Sequence, residues 1–244
     1  DASGMSETLT LDTPPLELSM QPSEVQPYAE YTIQVTAKGY RPINISGIEV
    51  FSGQLSLQEI RMDAEKATES MTDNIVIPAH TLFAEYPPKI AEAEIKPVTE
   101  TGEIVLSRVV IPEYVIVHDG APSDPTARDY YVRYRDYIKN VASSEIYSTW
   151  PDATIRANVL AIMSFTLNRV YTEWYRNKGY SFTITSSTAY DQKFMYGRNI
   201  YQSISDVVDE MFQNYLSRPN VRQPILTQYC DGQRVTCSNW LSQW

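Results

Sequence analysis

Cysteine, histidine, glycine and positive charge are all scarce in this 244-residue chain. There are two cysteines, two histidines and nine glycines. One cysteine pair, Cys230 and Cys237 around "DGQRVT", cannot make a tetrahedral zinc site without two further ligands. His80 and His118 lie far from it and show no ligand-like spacing, so no metal or other cofactor is expected. No glycine-rich phosphate loop and no Ser/His/Asp order is present. No apolar run reaches about 18 residues, which argues against a helical membrane span. No basic-then-apolar leader opens the chain, which starts at Asp1; it reads as a processed or excised piece, with any export signal removed or lying outside it. Lys and Arg number 20 against 30 acids, a net of −10, and no basic stripe stands out, so a nucleic-acid partner is not expected.

The charge that is present is uneven. Residues 1–107 hold 17 acids and 6 bases, and residues 108–244 hold 13 acids and 14 bases. Such asymmetry points to parts with different jobs. "YTIQVTA", "INISGIEV" and "LSLQEIRM" alternate polar and apolar side chains, with Gly47 and Gly53 at turns or bulges; residues 1–62 read as a small β-sandwich. Residues 63–128 carry recurrent prolines and read as a semi-rigid strap, its Ile, Val and Leu too frequent for disorder. From about Asp129 the period becomes helical, with Tyr130, Tyr134, Tyr137, Ile138 and Val141 on one face and an end near Glu145. Pro151 opens a second helix striped by Ile155, Val159, Ile162, Met163, Leu167 and Val170, running to about Gly179. "YSFTITSS" reads as a strand, residues 199–218 as a third helix, and "PILTQY" with "RVTC" as a hairpin. The fold class expected is α+β, with residues 129–244 as its second domain. A Cys230–Cys237 disulfide closing that hairpin implies an oxidising compartment; two buried thiols are the alternative.

Two stretches resemble known families. "YTIQVTAKGYRPINISGIEVFSG" resembles the transthyretin-like regulatory modules appended to carboxypeptidases, and "DASGMSETLTL" looks like the middle of one. On that resemblance the first strands of the sandwich are missing, and another protein chain or segment would have to cover the exposed β-edge. "YIKNVASSEIYSTWPDATIRANVLAIMSFTL" resembles, without a gap from the glutamate onward, the lytic transglycosylase domain of the sporulation stage II protein D and amidase-enhancer family. "STAYDQKFMYGRN", "ISDVVDEMFQNYL" and "SNWLSQW" resemble its later motifs more weakly. The whole chain looks like secreted clostridial-type peptidoglycan-binding proteins.

The resemblance implies cleavage of the β-1,4 bond after N-acetylmuramic acid in peptidoglycan glycan strands, outside the cytoplasm, in the cell wall or spore envelope. Glu145 falls on the family's catalytic glutamate and Trp150–Pro151 on its "WP". Tyr147, Trp150, Arg156, Asn158, Tyr190, Tyr196, Gln228 and Tyr229 are the substrate-side candidates, with Tyr147 and Trp150 as the apolar wall that raises the acid's pKa. The family's arginine and tyrosine fall on Met163 and Phe165, with Arg156 and Arg169 as substitutes, and its zinc ligands find no match. Asp191 and Asp209 are weaker second carboxylates. A lone glutamate at a helix end is more often simply solvated. The second reading is therefore a catalytically silent glycan-binding or assembly protein of the spore or cell surface. The enzyme reading expects Glu145 in an open groove beside Tyr147, not beneath the strap.

Overall fold

The computed structural model describes residues 4–65, 72–93 and 105–244. The opening of the expected first module, Asp1–Ser3, lies outside them, as do residues 66–71 and 94–104 of the expected strap. The fold is α+β, with three α-helices and several small sheets. Among the described residues no helix is long and apolar enough to cross a membrane.

Alternation does produce the first strands. β1 (Ala29–Val35) turns Tyr31, Ile33 and Val35 inward and Glu30, Thr32 and Gln34 outward, and pairs antiparallel with β2 (Ile43–Val50). The chain then departs from the expected sandwich. β3 is only Ser56–Leu57, and the third strand of the sheet, β4 (Asp73–Val76), comes from the segment read as strap and runs parallel to β2. The described part of residues 1–62 thus contributes β1 and β2 to a three-stranded sheet, order β1-β2-β4, and β3 to a separate two-stranded sheet with a strand of the C-terminal half.

Gly47 makes the join between β2 and the strap possible. It sits at φ +77, and a Cβ there meets the Ile77 carbonyl, whose own N–H donates to Ser46 O at 2.9 Å. Gly47→Ala is expected to lower the unfolding free energy by about 2 kcal/mol, because strain in the left-handed region adds to the clash. Denaturant unfolding of the variant checks this; an unchanged midpoint contradicts it.

The first helix begins five residues later than the period predicts. Asp129–Arg133 is a strand, β6, antiparallel to β5 (Tyr114–His118). α1 is Tyr134–Glu145 and ends where expected. α2 (Asp152–Tyr171) starts directly after Pro151, but stops before Gly179; a short 3-10 turn at Arg176–Lys178 covers the difference, and Gly179 closes it at φ +85. "YSFTITSS" shrinks to β7 (Ile184–Thr185), parallel to β5, and the third helix to α3 (Gln202–Met211), preceded by β8 (Ile200–Tyr201). The C-terminal hairpin does not form. β9 (Tyr229–Cys230) pairs instead in parallel with β10 (Leu241–Ser242), because the Cys230–Cys237 disulfide closes a loop between them.

The three helices enclose one core containing Tyr137, Ile138, Val141, Val159, Met163, Phe165, Ile204 and Val208. The N-terminal part is fastened to it by polar groups as well as apolar ones. β3 pairs with β8, Arg198 forms an ion pair with Glu49 in which neither side chain is exposed, and Asn199 Nδ2 donates to Glu49 O at 2.8 Å and Ser56 Oγ at 2.7 Å.

Candidate active site

Glu145 is the last residue of α1, and Ile146 after it is extended. A helix end leaves its final carbonyls without helical partners. Here the strap and the C-terminal segment supply them. Thr81 Oγ1 donates to Ser144 O at 3.0 Å, and Gln243 Nε2 donates to Glu145 O at 2.9 Å. The corner between α1 and α2 is thereby fixed, and the Glu145 side chain with it.

Glu145 as a whole residue is 4% exposed and borders a cavity of about 330 Å³. Strap residues Thr81–Lys89 form one wall, and Tyr229, Cys230 and the disulfide loop form another. The Lys193 N–H donates to Glu145 Oε1 at 2.7 Å, and the Tyr229 hydroxyl donates to Oε2. Burial pushes the carboxyl above the usual carboxylate range, opposed by the Tyr229 and Lys193 hydrogen bonds and by Lys89. The negative end of α1 acts in the same direction as burial. Lys89 is shifted the opposite way, down to about 8, also by burial; its ammonium lies 4.6 Å from the Phe165 ring centre and 5.6 Å from that of Tyr229, and donates to Asp191 O. A carboxyl and an amine sharing one cavity, each pushed toward its neutral form, are suited to proton transfer.

Gln192 fixes the tyrosine. Its Nε2 donates to Tyr229 Oη at 3.2 Å and to Ile162 O at 3.1 Å, while its Oε1 accepts from Thr166 Oγ1 at 2.7 Å and Tyr137 Oη at 3.3 Å. With its lone pair engaged by Gln192, the Tyr229 proton points at Glu145.

Asp191 is not a second catalytic carboxylate. It accepts from Arg169 Nε at 2.6 Å, Tyr175 Oη at 2.5 Å, Thr185 N–H at 2.9 Å and Thr185 Oγ1 at 2.7 Å. Arg169 also holds both oxygens of Glu92 on the strap, at 2.7 and 2.8 Å. It thereby ties Glu92 on the strap to Asp191 at the cavity wall. Asp209 lies outside, paired with Lys139 at 2.7 Å.

The expected residues separate into two groups. Tyr229 touches Glu145, and Cys230 lines the same cavity. Gln228 clamps the strap through both backbone groups of Glu92, and Tyr190 gives its carbonyl to Arg169. The others are elsewhere. Tyr147 and Trp150 are buried in an aromatic cluster with Phe51, His80 and Trp244, and Trp150 Nε1 donates to Ser19 O at 3.0 Å. Their faces are taken by other rings, so they cannot stack on a sugar in this structure. Arg156 is an outward residue paired with Asp152 and Glu210, and Asn158 donates back to Thr154 O within α2. Tyr196 lines a different concavity. The expectation of an open groove beside Tyr147 is also corrected: the strap covers Glu145, because Arg169 and Gln228 bind Glu92, and Arg234 donates to Thr81 O at 2.7 Å and Ala84 O at 2.5 Å.

Sequence reasoning passed over Lys89, Gln192, Lys193 and Glu92. Only the likeness of "STAYDQKFMYGRN" to a family motif drew attention to the segment holding two of them. Among the described residues no group of three or more His, Cys, Asp or Glu is placed to hold a metal ion. In comparisons with known proteins, the chain matches no family model, no curated protein and no solved structure.

Proposed function

We propose that the chain cleaves peptidoglycan glycan strands lytically, with Glu145 as the single acid and base. The supporting observation is a buried carboxyl at a cavity wall, its pKa raised and its oxygens aimed by the Tyr229 hydroxyl and the Lys193 N–H. Ordinary glycosidases need two carboxylates. Of the other carboxylates lining the cavity, Asp191 is committed to Arg169, Tyr175 and Thr185, Asp231 pairs with Arg234, and Glu85 is exposed, so Glu145 is the buried one without a cationic side chain bonded to it. One suffices for a lytic reaction. The Glu145 carboxylic acid gives its proton to the glycosidic oxygen as the bond from that oxygen to C1 breaks. The carboxylate then takes the proton of the same sugar's C6 hydroxyl as O6 bonds to C1. A 1,6-anhydro ring closes, Glu145 regains its proton, and no water is consumed. Lys89 and Tyr229 stabilise the carboxylate between the two steps.

The Cys230–Cys237 disulfide fits an extracytoplasmic setting. Another chain pairing along β1, the outer strand of its sheet among the described residues, belongs to the same proposal. A second reading, a glycan-binding scaffold without turnover, draws on Glu145 lying beneath the strap and on Tyr147 and Trp150 lying in the core. Incubation with intact and peptide-stripped peptidoglycan, followed by mass spectrometry, separates the two. The proposal expects 1,6-anhydro ends from wild type. Co-sedimentation without any anhydro product favours the scaffold.

A further inference from the structure

A second concavity, of about 680 Å³, lies between the β2–β4 sheet, β6 and the start of α1. Four tyrosines border it: Tyr114, Tyr130, Tyr131 and Tyr196. Tyr131 is 75% exposed and Tyr196 51%. Large exposed rings gathered at one concavity mark a binding surface more often than chance. Tyr196 is also held rigidly, stacked on Tyr130 with ring centres 4.7 Å apart and planes 14° apart.

The polar groups indicate what such a surface takes. Arg198 at the floor of the groove is committed to Glu49 and to Ser143 O, and Gln58 Nε2 donates to Gly197 O at 3.0 Å. Charges are nearly balanced: Arg61 pairs with Glu59 at 2.7 Å, Lys139 pairs with Asp209 at 2.7 Å, and Arg133 and Asp136 face the same space. A polyanion wants an uncompensated basic cluster. A neutral, polyhydroxylated ligand with flat apolar faces fits better, because tyrosine offers a ring face and a polar tip together.

We propose that this groove binds N-acetylhexosamine units of the glycan strand, away from the bond cleaved at Glu145. The identity of the polymer rests on the glycan reading of Glu145; the groove itself does not. The two sites flank one segment. Asp191 lines the cavity, the Lys193 N–H holds Glu145, and Phe194 and Tyr196 line the groove. Asn140, which also lines the groove, precedes Glu145 by about 7.5 Å of rise along α1. A strand held in the groove is therefore kept close to the cavity.

The test titrates Glu145→Gln protein, as a non-cleaving host, with a soluble β-1,4-linked N-acetylglucosamine hexamer by calorimetry. Adding Tyr131→Ala and Tyr196→Ala is expected to weaken binding about tenfold, whereas Tyr131→Phe, which keeps the ring, leaves it near the host value. Matched thermal midpoints show that the alanine variant is folded; if it is not, the single Tyr131→Ala at the more exposed position gives the comparison. Alanine variants binding as tightly as the host overturn the groove. So does a hexamer that fails to bind the host while wild type still makes anhydro products, and in that case the Glu145 reading stands. Binding that depends on the tyrosines without any products upholds the groove and removes the catalytic reading. Neither binding nor products removes both.

Discussion

Glu145→Gln is expected to cut the yield of 1,6-anhydro products from peptidoglycan by at least about a hundredfold, the low end of what a positioned acid–base group contributes. Glutamine keeps the shape and can still accept the Lys193 N–H, so the protein should remain folded. Its stability should differ from wild type in a defined pH window. Burial raises the carboxyl's pKa in the folded state, so folding favours the protonated form. That contribution is fully present below the ordinary pKa of about 4.3. It is lost as pH rises through the folded value. Glutamine has no such loss, so the variant gains on wild type as pH is raised across that window. Denaturant titrations at a series of pH values show it. Activity should fall over the same rise, as the acid form disappears, and again above pH about 8 as the Lys89 ammonium loses its proton.

Arg169→Ala should produce the largest loss of stability. Arg169 and Asp191 have no exposed side-chain surface, and Glu92 has little. Removing one partner of a buried pair leaves the other charged and uncompensated, at a cost of about 3–5 kcal/mol. Three features make the upper half of that range reasonable. Two carboxylates share the guanidinium, Glu92 holds it through both its oxygens, and its face lies 4.9 Å from the Phe165 ring centre. Lysine should not rescue it, since an ammonium cannot reproduce the planar fork. The strap should also loosen, because Glu92 anchors it. Hydrogen exchange of the amides in residues 81–93 should rise more in Arg169→Ala than in Glu145→Gln. Equal protection in the two variants contradicts the anchoring role.

The sequence showed some of this plainly. Val141 and Ile138 recur at helical spacing up to Glu145, and Pro151 punctuates the corner, so α1, its end and the start of α2 were legible. So was the β1–β2 hairpin, whose alternation survives because one face is buried and the other is wet. The β6 error has a physical cause. Tyr130 and Tyr134 stand four apart as on a helix, yet Tyr130 and Val132 also alternate, and pairing with β5 decided between the two periods. β7, β8 and β9 are two-residue strands fixed by tertiary pairing, and so short a run carries no period.

The site was half visible. Glu145 and Tyr229 come from opposite ends of the domain and do meet. Tyr147 and Trp150 lie elsewhere; an aromatic residue reads alike whether it meets a sugar or other rings, and here Phe51 and His80 pack on Tyr147, and Trp244 packs on both. Lys89 gave no signal at all, for its role depends on where a proline-rich strap happens to lie.

Everything proposed for the cavity depends on Glu145 holding its proton to higher pH than an ordinary glutamate does. A ¹³C NMR titration of glutamate carboxyl carbons, wild type beside Glu145→Gln, measures this directly. The expected result is one resonance, missing from the variant, with a midpoint clearly above the ordinary glutamate value of about 4.3. A Glu145 resonance that titrates at or below that value would contradict the account and leave an ordinary carboxylate at the end of a helix.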